Sequence, residues 1–539
     1  MLDSFAVRAL LISFAYSVCG LALVACQAAL PVRLENETFD ILEEVRVAMG
    51  APALFEAREG LTLRGVREME TASGATSRPI SVSCKPTGSF LLSIGGEVGA
   101  STRGFDGSDV WTRDTRGVVR RLGLGSRGAV LLDGQLRTFL WLRPGSEERI
   151  IEVVEGDSTD QRIALDVSHP TDPIAARVWI DRATMRLDSF EMNRLGRTRT
   201  VRFDDWSQEN GLWLPLLVTE LLDGELRHVD RFGARSAGTP STFSAPRPTL
   251  PDDTIFEGRL DRPVTLPTRV DSGGRFYVNA AIGEGQSGWF LLDTGFGSHA
   301  IAEGHAARFG MMPLGTATLA GVGGAKASAW QMAGRVTVGP AAMLNQRFAT
   351  LEGQFLTDRA GFDVHGVLGA PLFERLGVVL DERSGNASLF QPFRFRPRGV
   401  DWYPVAQDGS APCIQGSVTS GRSRTPGLWL RLDTGSDDSV TVSRWAVDTY
   451  SLIDRTRPLR PTSLRGLFGE LQGWRVRLGA LEFCGVRQRD LDATLLREES
   501  DGPLADPWIG GNLGMGALRG RRVIIDLAHG QIAVSGSGS

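Results

Sequence analysis

The chain has 539 residues, more than one hydrophobic core can fill, and its length points to about three domains. With 42% hydrophobic and 23% charged residues it has the composition of a folded protein, and a net charge of −4 leaves no basic field to attract nucleic acid. Lysine occurs only at Lys85 and Lys326, and the 65 glycines favour a turn-rich β protein over a helical one.

Residues 1–30 have the pattern of a targeting segment, with Arg8 followed by an apolar run from Ala9 to Leu23 that is short for a membrane span. The run ends in Leu23-Val24-Ala25-Cys26, which resembles a bacterial lipobox. That resemblance implies an exported, periplasm-facing protein anchored at the outer membrane through a lipid on Cys26. The alternative is plain secretion after cleavage near Ala28 or Ala29. Of the other cysteines, Cys413 and Cys484 fall in one lobe of the C-terminal half and are expected either to pair as a disulfide or to stay as buried thiols. No cysteine spacing matches a zinc site.

From residue 37 to 235 the sequence alternates short apolar strands with turns, for example Ser89–Ile94, Val118–Arg121, Arg177–Asp181 and Thr200–Phe203. Helical spacing of Phe39, Leu42, Val45, Ala48 and Met49 predicts one amphipathic helix over Phe39–Phe55. Gly104-Phe105-Asp106-Gly107 running into Trp111, Val178-Trp179-Ile180-Asp181, and Phe203-Asp204-Asp205-Trp206 with Gly211-Leu212-Trp213-Leu214-Pro215 resemble the lipoprotein-carrier (lipoprotein-sorting) family. The resemblance implies a curved antiparallel half-barrel with helices on its concave side around an apolar cavity. A breaker-rich linker over 236–254 follows, with Pro240, Pro246, Pro248 and Pro251.

The remainder contains an internal repeat. Trp289-Phe290-Leu291-Leu292-Asp293-Thr294-Gly295 recurs as Trp429-Leu430-Arg431-Leu432-Asp433-Thr434-Gly435, placing Asp293 and Asp433 at equivalent points of the two copies. Gly366-Val367-Leu368-Gly369 is matched to Pro507-Trp508-Ile509-Gly510, which follows at nearly the same offset as the aspartates. Val379-Leu380-Asp381 with Gly385 recurs as Ile524-Ile525-Asp526 with Gly530, and Gly321-Val322-Gly323-Gly324 has a counterpart in Gly466-Leu467-Phe468-Gly469.

An apolar strand, Asp-Thr-Gly, a glycine turn and an apolar-apolar-Gly segment, twice over residues 255–535, resemble the aspartic proteases in their retropepsin and pepsin forms. The resemblance implies a mainly β chain: the N-terminal half-barrel, then two pseudo-two-fold-related acid-protease β-barrel lobes at 255–396 and 397–535. It makes Asp293 and Asp433 a catalytic pair sharing one proton around a water, because two adjacent carboxyls cannot both ionise. Thr294 and Thr434 would exchange hydrogen bonds with the opposite loop, and Gly295 and Gly435 would leave room for it. Gly321–Gly324 and Gly466–Gly469 would be flaps over an extended peptide, with Val367, Leu368, Gly369, Trp508, Ile509 and Gly510 bracing the two loops. A monomer then suffices for the site, and no cofactor or metal is called for. His299, His305 and His365 match no zinc spacing.

The sequence departs from the family pattern after the first motif, where Phe296 stands in place of a small or hydroxylic residue such as Ser436. Asp437 and Asp438 add like charge beside the second. These features leave open an alternative, a catalytically degenerate envelope lipoprotein that binds lipid or peptide.

Overall fold

The computed structural model describes residues 36–535 apart from 57–59, 72–73, 96–98, 144–149, 170–171, 195–196, 238–239, 241, 260, 284, 322–323, 455, 457, 467–468 and 501. Cys26 and four of the residues expected to form flaps, Val322, Gly323, Leu467 and Phe468, lie outside this set. The chain is mainly β, as the repeat and the turn residues require. A 13-stranded antiparallel sheet runs from Leu61 to Ala237, its two edges being Val119–Arg121 and Ile150–Val153.

The predicted N-terminal helix is broken in two, Asn36–Ala48 and Ala51–Glu56, at a left-handed Gly50 where a β-carbon would strike Gly211 O. A further helix, Leu124–Arg137, agrees with the concave-side helices that the resemblance implies, but apolar spacing does not locate it because Gly125, Gly128 and Gly134 weaken its helical propensity. Tertiary packing overrides that weakness. At Gly134 a side chain would collide with the Phe90 ring, so glycine lets the helix lie against the sheet. The helix touches Asp172–Asp181 on one side and Phe90–Ile94 and Ser101–Phe105 on the other, so the sheet curves around it as a half-barrel.

Where the resemblance implies an apolar cavity, the concave side holds this helix, a core including Phe139, Trp141 and Phe190, and a buried ion cluster. Asp133 faces Arg103 at 3.1 Å, Arg137 at 2.9 Å and Arg199 at 2.8 Å. Burial opposes the ionised form of Asp133, but the three arginines outweigh it and hold the carboxyl well below its usual range.

The C-terminal half is two β-barrels. In the first lobe the closed circuit is Phe276–Ile282, Gln286–Leu292, Gly366–Leu368, His299–Ala302, Ala341–Leu351 and Gly324–Val338. In the second it is Ala411–Ser420, Leu428–Asp433, Ile509–Gly514, Val440–Val442, Val486–Leu496 and Gly469–Phe483, in the same order. A six-stranded sheet joins the lobes, with Gly377–Asp381 antiparallel to Arg522–Asp526 at its centre. Val378 pairs with Ile525, Val379 with Ile524 and Leu380 with Val523. Exchanging the lobes carries Val378, Val379 and Leu380 onto Val523, Ile524 and Ile525. The outer pairs then map onto each other and the middle pair onto itself, so the pseudo-two-fold axis passes between Val379 and Ile524.

The half-barrel docks on both lobes through buried or half-buried ion pairs. Arg120 forms a bidentate pair with Glu374 (2.5 and 2.6 Å), and Arg116 reaches Asp253 at 2.9 Å. Asp253 also binds Arg375 at 2.8 Å, and Arg194 meets Asp408 at 2.5 Å and Asp506 at 3.2 Å. The last linker residues thus belong structurally to the first lobe, where Thr254 pairs with Met343.

Candidate active site

Two short parallel strand pairs set the floor of the site. Leu291 and Leu292 lie beside Val367 and Leu368, and the Asp293 N–H donates to Leu368 O at 3.1 Å. In the second lobe Arg431, Leu432 and Asp433 lie beside Asn512, Leu513 and Gly514. The bracing segment of the second lobe is therefore Asn512-Leu513-Gly514, and the assignment to Trp508-Ile509-Gly510 is corrected. A β-carbon on Gly369 would strike Phe296 O and Ser298 O, and one on Gly514 would strike Ser436 O and Asp438 O, which are equivalent positions. An irregularity between Trp429 and Leu430 shifts the register, so Ile509 sits a full step earlier, beside Trp429. Gly321 to Gly466, Gly369 to Gly514 and Val379 to Ile524 are equal steps along the chain, and each is longer than the step from Asp293 to Asp433. The second copy therefore carries extra residues between its aspartate and its glycine turn, and the near-match at Gly510 is a coincidence of composition.

The two Asp-Thr-Gly loops are locked together. The Thr294 N–H donates to Thr434 Oγ1 at 3.0 Å, and the Thr434 N–H to Thr294 Oγ1 at 3.1 Å. Thr294 Oγ1 then donates to Leu432 O (2.7 Å) and Thr434 Oγ1 to Leu292 O (2.8 Å), so four buried bonds cross the axis. A β-carbon on Gly295 would lie 2.7 Å from the Asp433 carboxyl, and one on Gly435 would lie 2.4 Å from that of Asp293. Each carboxyl therefore sits over the opposite glycine, and any side chain there would push the pair apart.

The carboxyls differ in their surroundings. Asp293 Oδ1 accepts from the Gly295 N–H at 2.8 Å. Asp433 Oδ1 accepts from the Gly435 N–H at 3.1 Å, and its Oδ2 accepts from Asn512 Nδ2 at 3.1 Å. Burial, then the charge of Asp433, raises the Asp293 pKa; burial raises that of Asp433, with Arg431 and the loop N–H groups opposing.

Phe296 is buried in an apolar cluster with Tyr277, Leu291, Leu356 and Val367, which explains a bulky residue after the first motif. Asp437 is paired with Arg359 and Asp438 with Arg475, each at 2.7 Å. Arg359 and Arg275 outweigh burial and lower the Asp437 pKa, so the added like charge is neutralised where it arises.

Above the floor, Met312–Gly321 and Gly324–Val338 form one hairpin and Arg460–Gly466 and Gly469–Phe483 another, closed by the pairs Gly321–Gly324 and Gly466–Gly469. Both hairpins line a cleft of about 840 Å³ that contains Asp293 and Asp433. From the second, Arg465 stacks over Phe355 of the first lobe at 5.6 Å.

Cys413 and Cys484 are free and buried, which overturns the disulfide alternative. Cys413 points into a cluster with Leu471, Leu504 and Ile509, whereas Cys484 joins the main lobe core. Burial pushes the Cys484 thiol up to about 12 and the Cys413 thiol higher, so neither offers a reactive thiolate. His299 Nδ1 accepts from the Gly369 N–H at 3.2 Å, while the His305 and His365 rings lie 4.7 Å apart, tilted at 51°.

Sequence reasoning missed Asn512 and Arg431. Arg431 stands inside the repeated Trp429–Gly435 segment, where a charge in an otherwise apolar strand was the available signal.

No protein-family model matches the chain, and no curated protein matches it. Among solved structures, a LolA-superfamily protein from Nitrosomonas europaea is similar at 15% identity and a TM-score of 0.28, over 38% of this chain and 94% of its own. An aspartic proteinase from Irpex lacteus is similar at 12% identity and a TM-score of 0.33, over 51% of this chain and 98% of its own. Basic 7S globulin from soybean is similar at 12% identity and a TM-score of 0.30, over 51% of this chain and 95% of its own.

Proposed function

We propose that this protein is an exported aspartic endopeptidase that hydrolyses peptide bonds in extended substrates. The observation that carries the reading is the pair of carboxyls, Asp293 and Asp433, held over each other's glycine by the reciprocal Thr294–Thr434 hydrogen bonds at the floor of a two-flap cleft. Asp433, with the extra donor from Asn512, holds the negative charge, and Asp293 holds the shared proton.

Asp433 takes a proton from a water as its oxygen attacks the substrate carbonyl carbon, while Asp293 gives its proton to the carbonyl oxygen. The tetrahedral diol then collapses: its hydroxyl proton returns to Asp293, the proton on Asp433 passes to the amide nitrogen, and the C–N bond breaks. The charge pattern is restored. The flaps exclude bulk water during these transfers. The amino-terminal segment directs export to the periplasm, with Cys26 as the lipid attachment point at the outer membrane. No helix among the described residues is long and apolar enough to cross a membrane.

The test is digestion of an unfolded protein from about pH 3 to about pH 8, with and without a pepstatin-type transition-state inhibitor. Inhibitor-sensitive cleavage that is lost in Asp293→Asn supports the reading. Absence of cleavage across that range overturns it in favour of a binding protein.

A further inference from the structure

The two halves of the cleft are related by the pseudo-two-fold axis, yet they are chemically unlike. Two residues before each aspartate stand Leu291 and Arg431; beside these stand Val367 and Asn512, and all four line the cleft. Beside the dyad the first-lobe half adds apolar Phe296 and Leu319, with polar Glu352 and Gln354 farther out, whereas the second-lobe half adds Thr494 and, from its hairpin, Ser463 and Leu464.

Arg431 differs from the other buried or half-buried cations of this cleft. Arg275 is paired with Asp271, Arg359 with Asp437 and Arg475 with Asp438, while exposed Arg465 lies over Phe355. Arg431 is only 6% exposed and donates from Nη2 to Gly295 O at 3.0 Å, but it joins no ion pair among the described residues. Its strand neighbour is Cys413, a buried thiol. A guanidinium offers several further N–H donors in one plane, matched to the two oxygens of a carboxylate. Its charge acts on the nearby Asp293 and Asp433 carboxyls and favours their ionised forms, but no carboxylate of the described residues closes on its fork of N–H donors, which leaves that geometry to a ligand carboxylate.

We propose that Arg431 is a substrate-recognition residue that binds a carboxylate side chain on one of the two residues flanking the scissile bond, the other residue being apolar and seated against the first lobe. An extended peptide crossing the axis places its flanking side chains in two-fold-related pockets, one apolar and one built around Arg431. The preferred substrates are therefore peptides that pair an apolar with an acidic residue. This inference rests on the endopeptidase reading for the bond that breaks, but the recognition itself requires only the cleft.

The experiment measures affinity of the full mature protein for end-blocked peptides with a non-cleavable reduced amide between Phe and Glu, Phe and Gln, or Phe and Leu. Each is made in both orders and measured near pH 6. In one order the Glu peptide is expected to bind roughly ten- to hundredfold more tightly than the Gln peptide, the range for a hydrogen bond between charged groups. R431L, which installs the residue of the first lobe, should abolish that ratio and favour Leu, and R431Q should also abolish it. Equal affinity for Glu and Gln in both orders of the unmodified protein overturns the proposal, whatever the variants do. A Gln peptide with a free terminal carboxylate that alone gains affinity also overturns it, because the ligand would then be a chain end. Cleavable versions decide the chemistry separately: a Glu preference in binding without hydrolysis sinks the endopeptidase reading and leaves the Arg431 assignment standing.

Discussion

Asn512 donates to Asp433 Oδ2 at 3.1 Å, while the two-fold-related residue in the first lobe, Val367, has no hydrogen to offer Asp293. A donor to one carboxylate favours its ionised form and thus sets which member of the pair carries the charge. Replacing Asn512 with valine should raise the Asp433 pKa and move the acid limb of the pH–activity profile to higher pH by up to about one unit. An acid limb that stays in place would show that the amide has no part in choosing the charged partner.

Asp293→Asn and Asp433→Asn should each lower kcat by roughly a thousandfold or more, and the double variant little further, because the two carboxyls act as one unit. Near-normal turnover in either single variant would rule out a paired-carboxyl reaction.

The same substitution has an opposite effect on stability. The folded-state pKa of Asp293 lies above its unfolded value, so between the two values the folded protein binds more protons and stability falls as pH rises. Removing a carboxyl that ionises more readily in the unfolded chain should therefore raise the Tm of Asp293→Asn over the parent at neutral pH and leave the two alike near pH 3. Calorimetry at both pH values checks this; a lower Tm at neutral pH would contradict the direction.

Thr294→Ala removes the acceptor for the Thr434 N–H and the donor to Leu432 O, leaving buried groups without partners. The expected cost is about 1–3 kcal/mol in stability. Activity should fall by roughly ten- to hundredfold as the carboxyls lose their alignment. Thr294→Ser should recover most of both, since it keeps the hydroxyl. Failure of serine to rescue would assign the role to the methyl group and its packing.

Cutting the linker should not release the half-barrel. The Arg120–Glu374, Arg116–Asp253 and Arg194–Asp408 pairs each join residues on opposite sides of the cut. With an engineered cleavage site between Pro246 and Pro248, both fragments should co-elute from a sizing column at about 0.15 M salt. Arg120→Ala combined with Arg194→Ala should let them separate. Spontaneous separation of the unmodified halves would show that these pairs do not hold the domains.

The paired aspartates were legible in the sequence because each motif is contiguous: an apolar strand, a tight turn and a glycine fix their chemistry locally. The second brace was not, because residues 507–514 contain several small or apolar runs ending in glycine, and only the pairing of Asp433 with Gly514 chooses among them. The helix Leu124–Arg137 was hidden for a related reason. Its glycines serve contacts such as that with Phe90, which no local propensity registers. The pairing state of Cys413 depended on where a side chain points, and that was decided by strands far away in the chain.

The central sheet, in which Gly377–Asp381 pairs with Arg522–Asp526 across the axis, is the kind of seam by which two separate copies of one lobe could have met. Two identical copies would have to carry the same residue on both sides of that seam, so a change helpful to one flank of the site would be imposed on the other. Joining the copies in a single chain lifts that restriction. Leu291 and Arg431, Val367 and Asn512, and Phe296 and Ser436 are departures that an assembly of identical subunits has no means to make.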